Sequence, residues 1–141
     1  MISRQVSVLF VCVHNAGKSQ MAAALMRAQK LPNVEVLSGG TDPVGALNVE
    51  AQSAIAELGL SMEGEYSKAI TLDVFRRVDR IIILGNEAKL TRVERMAGTI
   101  ETWLTPEPGS DAGDKLAQTR LVRDDIHARV RALAAELAEL V

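Results

Sequence analysis

The chain alternates between runs of apolar, β-branched residues and segments with helical spacing. Val6-Ser7-Val8-Leu9-Phe10-Val11-Cys12-Val13 is almost wholly apolar, the pattern of a strand buried on both faces of a parallel sheet. His14-Asn15-Ala16-Gly17 is turn chemistry, and Ser19 to Arg27 is rich in strong helix formers. Val34-Glu35-Val36-Leu37 reads as a second strand, broken by Ser38-Gly39-Gly40-Thr41-Asp42-Pro43. Between Asn48 and Leu58, Val49, Ala51, Ile55, Ala56 and Leu58 recur at helical spacing, with Asn48 placed as N-cap and Gly59 as stop. Asp79 to Gly85 reads as a third buried strand, residues 86–97 as a helix, and Thr99 to Leu104 as a short fourth strand. Pro106 and Pro108 enforce a loop that runs to Gly113. Leu116, Val122, Ile126, Val130, Leu133, Leu137 and Leu140 then mark one long amphipathic helix.

Strands that alternate with helices imply an α/β fold, a parallel sheet with helices on both faces. Neither a repeat nor a linker divides residues 1–141, which read as a single domain. A content of 48% apolar and 24% charged residues excludes a disordered or fibrous chain. Sixteen Lys plus Arg against eighteen Asp plus Glu leave a net charge of −2, so nothing advertises a nucleic-acid partner and any anion site must be local. Aromatics are scarce: Phe10, Tyr66, Phe75 and Trp103. The apolar run at Val6–Val13 is far shorter than the roughly 20 residues of a membrane span, and no signal-peptide cleavage site follows it. A cytoplasmic protein without a membrane partner is expected.

The single cysteine, Cys12, excludes a disulfide within the chain and a Cys-based zinc site, and no metal is expected. A lone cysteine in a valine-rich strand is ordinarily an inert core residue. Here it stands where the strand runs into Cys12-Val13-His14-Asn15-Ala16-Gly17-Lys18-Ser19. In open α/β sheets ligands bind at the carboxyl ends of strands. A helix beginning there offers free N–H groups and the positive end of a dipole. Lys18 adds charge, and Asn15 and Gly17 tolerate unusual backbone angles. The same groups, with the Ser19 hydroxyl, favour the thiolate of Cys12, so the segment reads as a nucleophile facing a tetrahedral oxyanion. Gly17-Lys18-Ser19 is also the tail of a nucleotide-binding P-loop, but cysteine occupies the place of that motif's leading glycine.

C-x5-[RK]-S at a strand-to-helix turn resembles the low-molecular-weight protein tyrosine phosphatase superfamily, and the arsenate reductases built on that fold more closely. Val8 to Gly17 followed by Ser19-Gln20-Met21-Ala22 is similar to their opening. Ser38-Gly39-Gly40-Thr41 is similar to their S-A-G-T turn, and Val78-Asp79-Arg80-Ile81-Ile82-Ile83-Leu84 to their third strand. Trp103 with Pro106-Glu107-Pro108 resembles their W-x-x-P-[DE]-P loop, and Val122-Arg123-Asp124-Asp125-Ile126 the start of their last helix. The resemblance implies a three-layer α/β sandwich around a four-stranded parallel sheet.

It also implies roles. Cys12 would attack arsenic, while the backbone of Val13, His14, Asn15, Ala16, Gly17, Lys18 and Ser19 cradles the oxyanion. Asn15 would hold the loop's shape, Ser19 would support the thiolate, and Glu107 falls where phosphatases keep an aspartic general acid. Lys18 replaces the family's usual arginine, a point charge where a fork would grip two oxygens. With no second cysteine, the resolving thiol must come from outside. The chain therefore resembles the arsenate–mycothiol transferases, whose co-substrate is mycothiol (glutathione is chemically equivalent) and whose downstream partner is a mycoredoxin or glutaredoxin-like protein. No tightly bound cofactor is implied. A phosphatase for phosphotyrosine or small phosphoesters and a non-catalytic oxyanion-binding domain are the alternatives. His14 is assigned a lining role, His127 a surface position, Gln20 and Met21 packing of the first helix, and Arg123–Asp124 a helix-surface ion pair.

Overall fold

A computed structural model describes residues 5–106 and 114–140. The elements run β1 (Val6–Cys12), α1 (Lys18–Arg27), β2 (Val34–Gly40), α2 (Val49–Ala56), α3 (Leu72–Arg77), β3 (Arg80–Leu84), β4 (Thr99–Trp103) and α4 (Lys115–Ala138). All strand pairings are parallel and the sheet order is β2-β1-β3-β4. The registers place Val6 beside Val34, Val8 beside Arg80 and Arg80 beside Thr99. The chain therefore steps outward from β1 to β2, then crosses back over β1 to reach β3. That reversal opens a crevice at the carboxyl ends of β1 and β3.

Every residue of β1 is buried, as its almost wholly apolar run anticipated. Alternation along the strand splits the core into two layers. Val6, Val8, Phe10 and Cys12 join α1, α2 and α4 on one face, where Leu25, Ile55, Ile126 and Leu137 are buried. Leu9 and Val11 join Phe75, Val78, Ile81 and Ile83 on the other, beneath α3. The result is the expected three-layer α/β sandwich on a four-stranded parallel sheet. No helix among the described residues is long and apolar enough to cross a membrane.

Helix caps follow the sequence. The Asn48 side chain accepts from Ala51 N at 2.7 Å, and Gly59 sits at φ +76 with its N–H on Ala56 O, the left-handed stop that glycine permits. On α4, Val122, Ile126, Val130, Leu133 and Leu137 are buried as the stripe required, whereas Leu140 is exposed.

Two expectations need correction, and one helix was not foreseen. Residues 86–97 form no helix. Their backbone bonds to α3 instead of to itself: Arg76 Nε donates to Glu94 O and Ala97 N to Arg76 O. Arg95 takes a positive φ of 65°. Good helix propensity loses to these tertiary bonds. The helix α3 was not expected. It is too short to show a stripe, although Thr71 caps Val74 N, Asp73 opens it and Arg76 and Arg77 close it, the charge order that a helix dipole favours. Finally, β2 continues through Ser38-Gly39-Gly40 instead of breaking there. The glycines are needed for close approach, not for a turn: a Cβ on Gly39 would meet Ile70 Cγ1 at 2.8 Å.

Candidate active site

Cys12 ends β1, and the turn from Val13 to Gly17 delivers the chain into α1. Asn15 lies in the left-handed region, at φ 51°, a conformation asparagine adopts more readily than most residues. Gly17 precedes the helix with no side-chain cap on its first turn.

Each carbonyl of the turn is hydrogen-bonded, some from other segments and some from α1. Cys12 O accepts from Thr41 N (3.3 Å), Val13 O from Asp42 N (2.8 Å) and Ala16 O from Asn48 N (2.9 Å). His14 O accepts from Ser67 Oγ (2.6 Å) and Asn15 O from Gln20 Nε2 (3.1 Å), and Gly17 O from Met21 N (2.9 Å). There is no cis peptide among the described residues. A trans peptide sets its N–H opposite its C=O, so the amides of Val13 through Lys18 turn towards the inside of the loop. Together with the start of α1 they give the turn a concave face of N–H donors, the form that an anion receptor takes.

The side chains behind the loop complete it. Asn15 Nδ2 donates to Ser19 Oγ at 2.8 Å, and Ser19 Oγ lies 3.0 Å from Cys12 Sγ. Asn15 Oδ1 faces only donors: Lys68 N at 3.0 Å, Gln20 Nε2 at 3.2 Å and Lys68 Nζ at 3.4 Å. Those contacts fix which end of the amide is oxygen. Ser19 Oγ therefore accepts a hydrogen bond from Asn15, and its own O–H is left to donate to sulfur. Asn15 and Ser19 are fully buried, while Cys12 keeps 9% exposure. Cys12 thus reaches the cleft, whereas Asn15 and Ser19 do not.

That cleft, of about 340 Å³, is lined by Cys12, Val13, His14, Ala16, Gly17 and Lys18 on one side, by Leu84 at the end of β3 and Gly85, Asn86 and Glu87 after it, and by Asn48. It is the crevice the strand order opens. Among the described residues no Phe, Tyr or Trp lines it. His14 lines it too, with Nδ1 3.0 Å from Asp42 O. Glu107 lies outside the described residues.

Other expected residues fall elsewhere. Gln20 is buried and ties the loop to Tyr66 O at 3.0 Å; Met21 packs in the core. His127 is half-buried. Arg123 does pair with Asp124, at 2.9 Å, but the guanidinium is buried against α2, on Ala54 O and Glu57. The sequence reading missed Lys68, Ser67 and Gly40. A Cβ on Gly40 would stand 2.6 Å from Val13 O. A lysine between Ser67 and Ala69 carries no local signal, because its role depends on contacts with residues far along the chain.

The chain belongs to the low molecular weight phosphotyrosine protein phosphatase family, whose model matches residues 7–141. Its homologues include arsenate reductases: it is 28% identical over 131 residues to an arsenate reductase of Shouchella clausii, covering 90% of this chain and 94% of that one. Among solved structures it resembles a thioredoxin-dependent arsenate reductase of Corynebacterium glutamicum, with a TM-score of 0.76 at 28% identity, across 96% of this chain and 63% of the other. It also resembles an arsenate reductase in a phosphate-binding state, with a TM-score of 0.77 at 26% identity, across 94% and 98% of the two chains.

Proposed function

We propose that the protein is a cytoplasmic arsenate reductase working as an arsenate–thiol transferase, with mycothiol, or the equivalent glutathione, as the second thiol. One observation carries this reading: a supported cysteine faces an amide-lined cleft, and the 141-residue sequence contains no other cysteine to resolve what it forms. The cytoplasm keeps low-molecular-weight thiols reduced.

The loop amides hold the arsenate oxygens, and Lys18 offsets their charge. Cys12 attacks arsenic: an S–As bond forms, one As–O bond breaks, and the thiol's proton leaves on water. Arsenic stays pentavalent. The external thiol then attacks arsenic, the Cys12–As bond breaks, and Cys12 recovers its proton. Away from the site, a redoxin thiol attacks the adduct's sulfur. That step yields a mixed disulfide, and its two electrons reduce arsenic to arsenite. Ser19 steadies Cys12 whenever its sulfur carries negative charge, before attack and as it leaves. A cleft that no Phe, Tyr or Trp lines among the described residues suits a small inorganic anion better than a phosphotyrosine ring.

The test supplies purified protein with arsenate, mycothiol and mycoredoxin, or glutathione and glutaredoxin, and follows NADPH consumption through the coupled reductase. Thiol-dependent turnover that disappears in Cys12→Ser is expected. Fast hydrolysis of an aryl phosphate in the absence of thiol, without arsenate turnover, would overturn the proposal.

A further inference from the structure

Lys68 belongs to the segment between α2 and α3, yet its side chain ends behind the anion loop. Its Nζ is 2.9 Å from Ser38 Oγ, 3.3 Å from Tyr66 O and 3.4 Å from Asn15 Oδ1. The Tyr66 ring centroid is 5.2 Å away. Its backbone is held as well: Lys68 N donates to Asn15 Oδ1, and Lys68 O accepts from Gly40 N at 2.9 Å. Glu65 Oε2 stands 3.9 Å from the ammonium, and that carboxylate is itself paired with Arg27 at 2.9 Å.

The consequence follows from amide electronics. A cation on the oxygen of a primary amide draws electron density from its nitrogen and makes the Nδ2–H groups better donors. Asn15 Nδ2 donates to Ser19 Oγ, and Ser19 Oγ has its proton free for Cys12 Sγ. Hydrogen bonds linked in this way polarise one another, most of all where water is excluded. Both links of the chain are buried.

We propose that Lys68 is a positioning residue for Cys12: its ammonium fixes and polarises the Asn15–Ser19 relay, so that a charge behind the loop favours the thiolate inside it. The proposal deepens the thiol-transfer reading and rests on it for its meaning in catalysis. The relay itself is readable without arsenate. Lys68 touches no reacting atom.

The test measures the rate at which iodoacetamide alkylates Cys12 at pH 7, with thermal unfolding followed in parallel. Lys68→Met is expected to slow alkylation roughly tenfold, the loss of one charge-assisted hydrogen bond in the relay, while Lys68→Arg keeps the rate within about threefold of the parent. The deciding measurement is a double-mutant cycle. In a Ser19→Ala background, Lys68→Met is expected to change nothing further, because the relay is already cut. Additive losses, or a Lys68→Met protein that alkylates as fast as the parent, would overturn the proposal. Should Lys68→Met fail to fold, Lys68→Gln goes through the same cycle with the same criteria. Failure of arsenate turnover with the cycle intact would count against the function and not against the relay.

Discussion

At the scale of single residues, the site depends on what stands behind the loop as much as on what lines it. Cys12, Asn15, Lys18 and Ser19 were legible because they fall within one short segment, where spacing alone brings them together. Lys68 and Gly40 were not, because no local pattern says that residues 28 and 53 positions from His14 and Asn15 hold the same loop, as Asp42 and Lys68 do. Gly40 offers a sharp check. Its missing side chain leaves room for Val13 O and for Asn15, whose N and Cβ would both lie 3.0 Å from an added Cβ. The obstacle is mainly backbone, so the loop has to move. Gly40→Ala is expected to cost about 1–3 kcal/mol of stability by overpacking. Cys12 reactivity should suffer more, on the order of a hundredfold, since catalytic geometry tolerates little displacement. Urea unfolding measures the first quantity and alkylation of Cys12 the second. Wild-type reactivity in a folded Gly40→Ala protein would show that the loop does not need this contact.

At the scale of elements, strands were easier to foresee than the segments joining them. A strand buried on both faces is apolar over most of its length, so β1 and β3 announce themselves. Residues 86–97 carry Glu87, Ala88, Lys89, Leu90 and Arg92, all at home in a helix, yet Arg92 Nη1 binds Gly98 O and Arg76 binds Glu94 O. The chain just past that segment is closely packed as well, since a Cβ on Gly98 would lie 2.1 Å from Asp79 O. The α2–α4 contact shows the same dependence on partners distant in sequence. Glu57, just past the end of α2, accepts from Arg120 Nε and Nη2 and from Arg123 Nη1. The Arg120 bonds first, then the Arg123 bond, hold its carboxyl down from 4.5 to about 2. A depressed carboxylate pKa stabilises the fold above the unfolded value and loses that contribution as pH falls through the folded one. Stability carried by this clamp should therefore be complete above about pH 4.5 and drain away towards pH 2. Glu57→Gln should lower the urea midpoint at pH 7 and flatten its decline on acidification. Parallel pH profiles for the two proteins would show that the clamp contributes nothing, as many exposed ion pairs do.

At the scale of the whole molecule, the strand order and the chemistry are one feature seen twice. The reversal between β2 and β3 leaves the carboxyl end of β1 uncovered, and the loop there is held by Thr41 and Asp42 after β2, by the α2 cap and by Ser67 on its carbonyls, and by Lys68 on the Asn15 side chain. An anion seated on the inward amides therefore draws on several elements at once, and binding should be linked to global stability. Phosphate has the shape and charge of arsenate and no redox chemistry, so it isolates this linkage. At a concentration about a hundred times its dissociation constant, a ligand specific for the folded state adds roughly 2.7 kcal/mol. For a domain of this size that should raise the unfolding midpoint by about 5–10 °C. Because the receptor is built of backbone amides, Cys12→Ser should keep most of the shift while losing turnover. Gly40→Ala should lose the shift together with its loop geometry. If phosphate leaves the midpoint of the parent protein unchanged, the inward amides do not form an oxyanion receptor, and the thiol-transfer function falls with it.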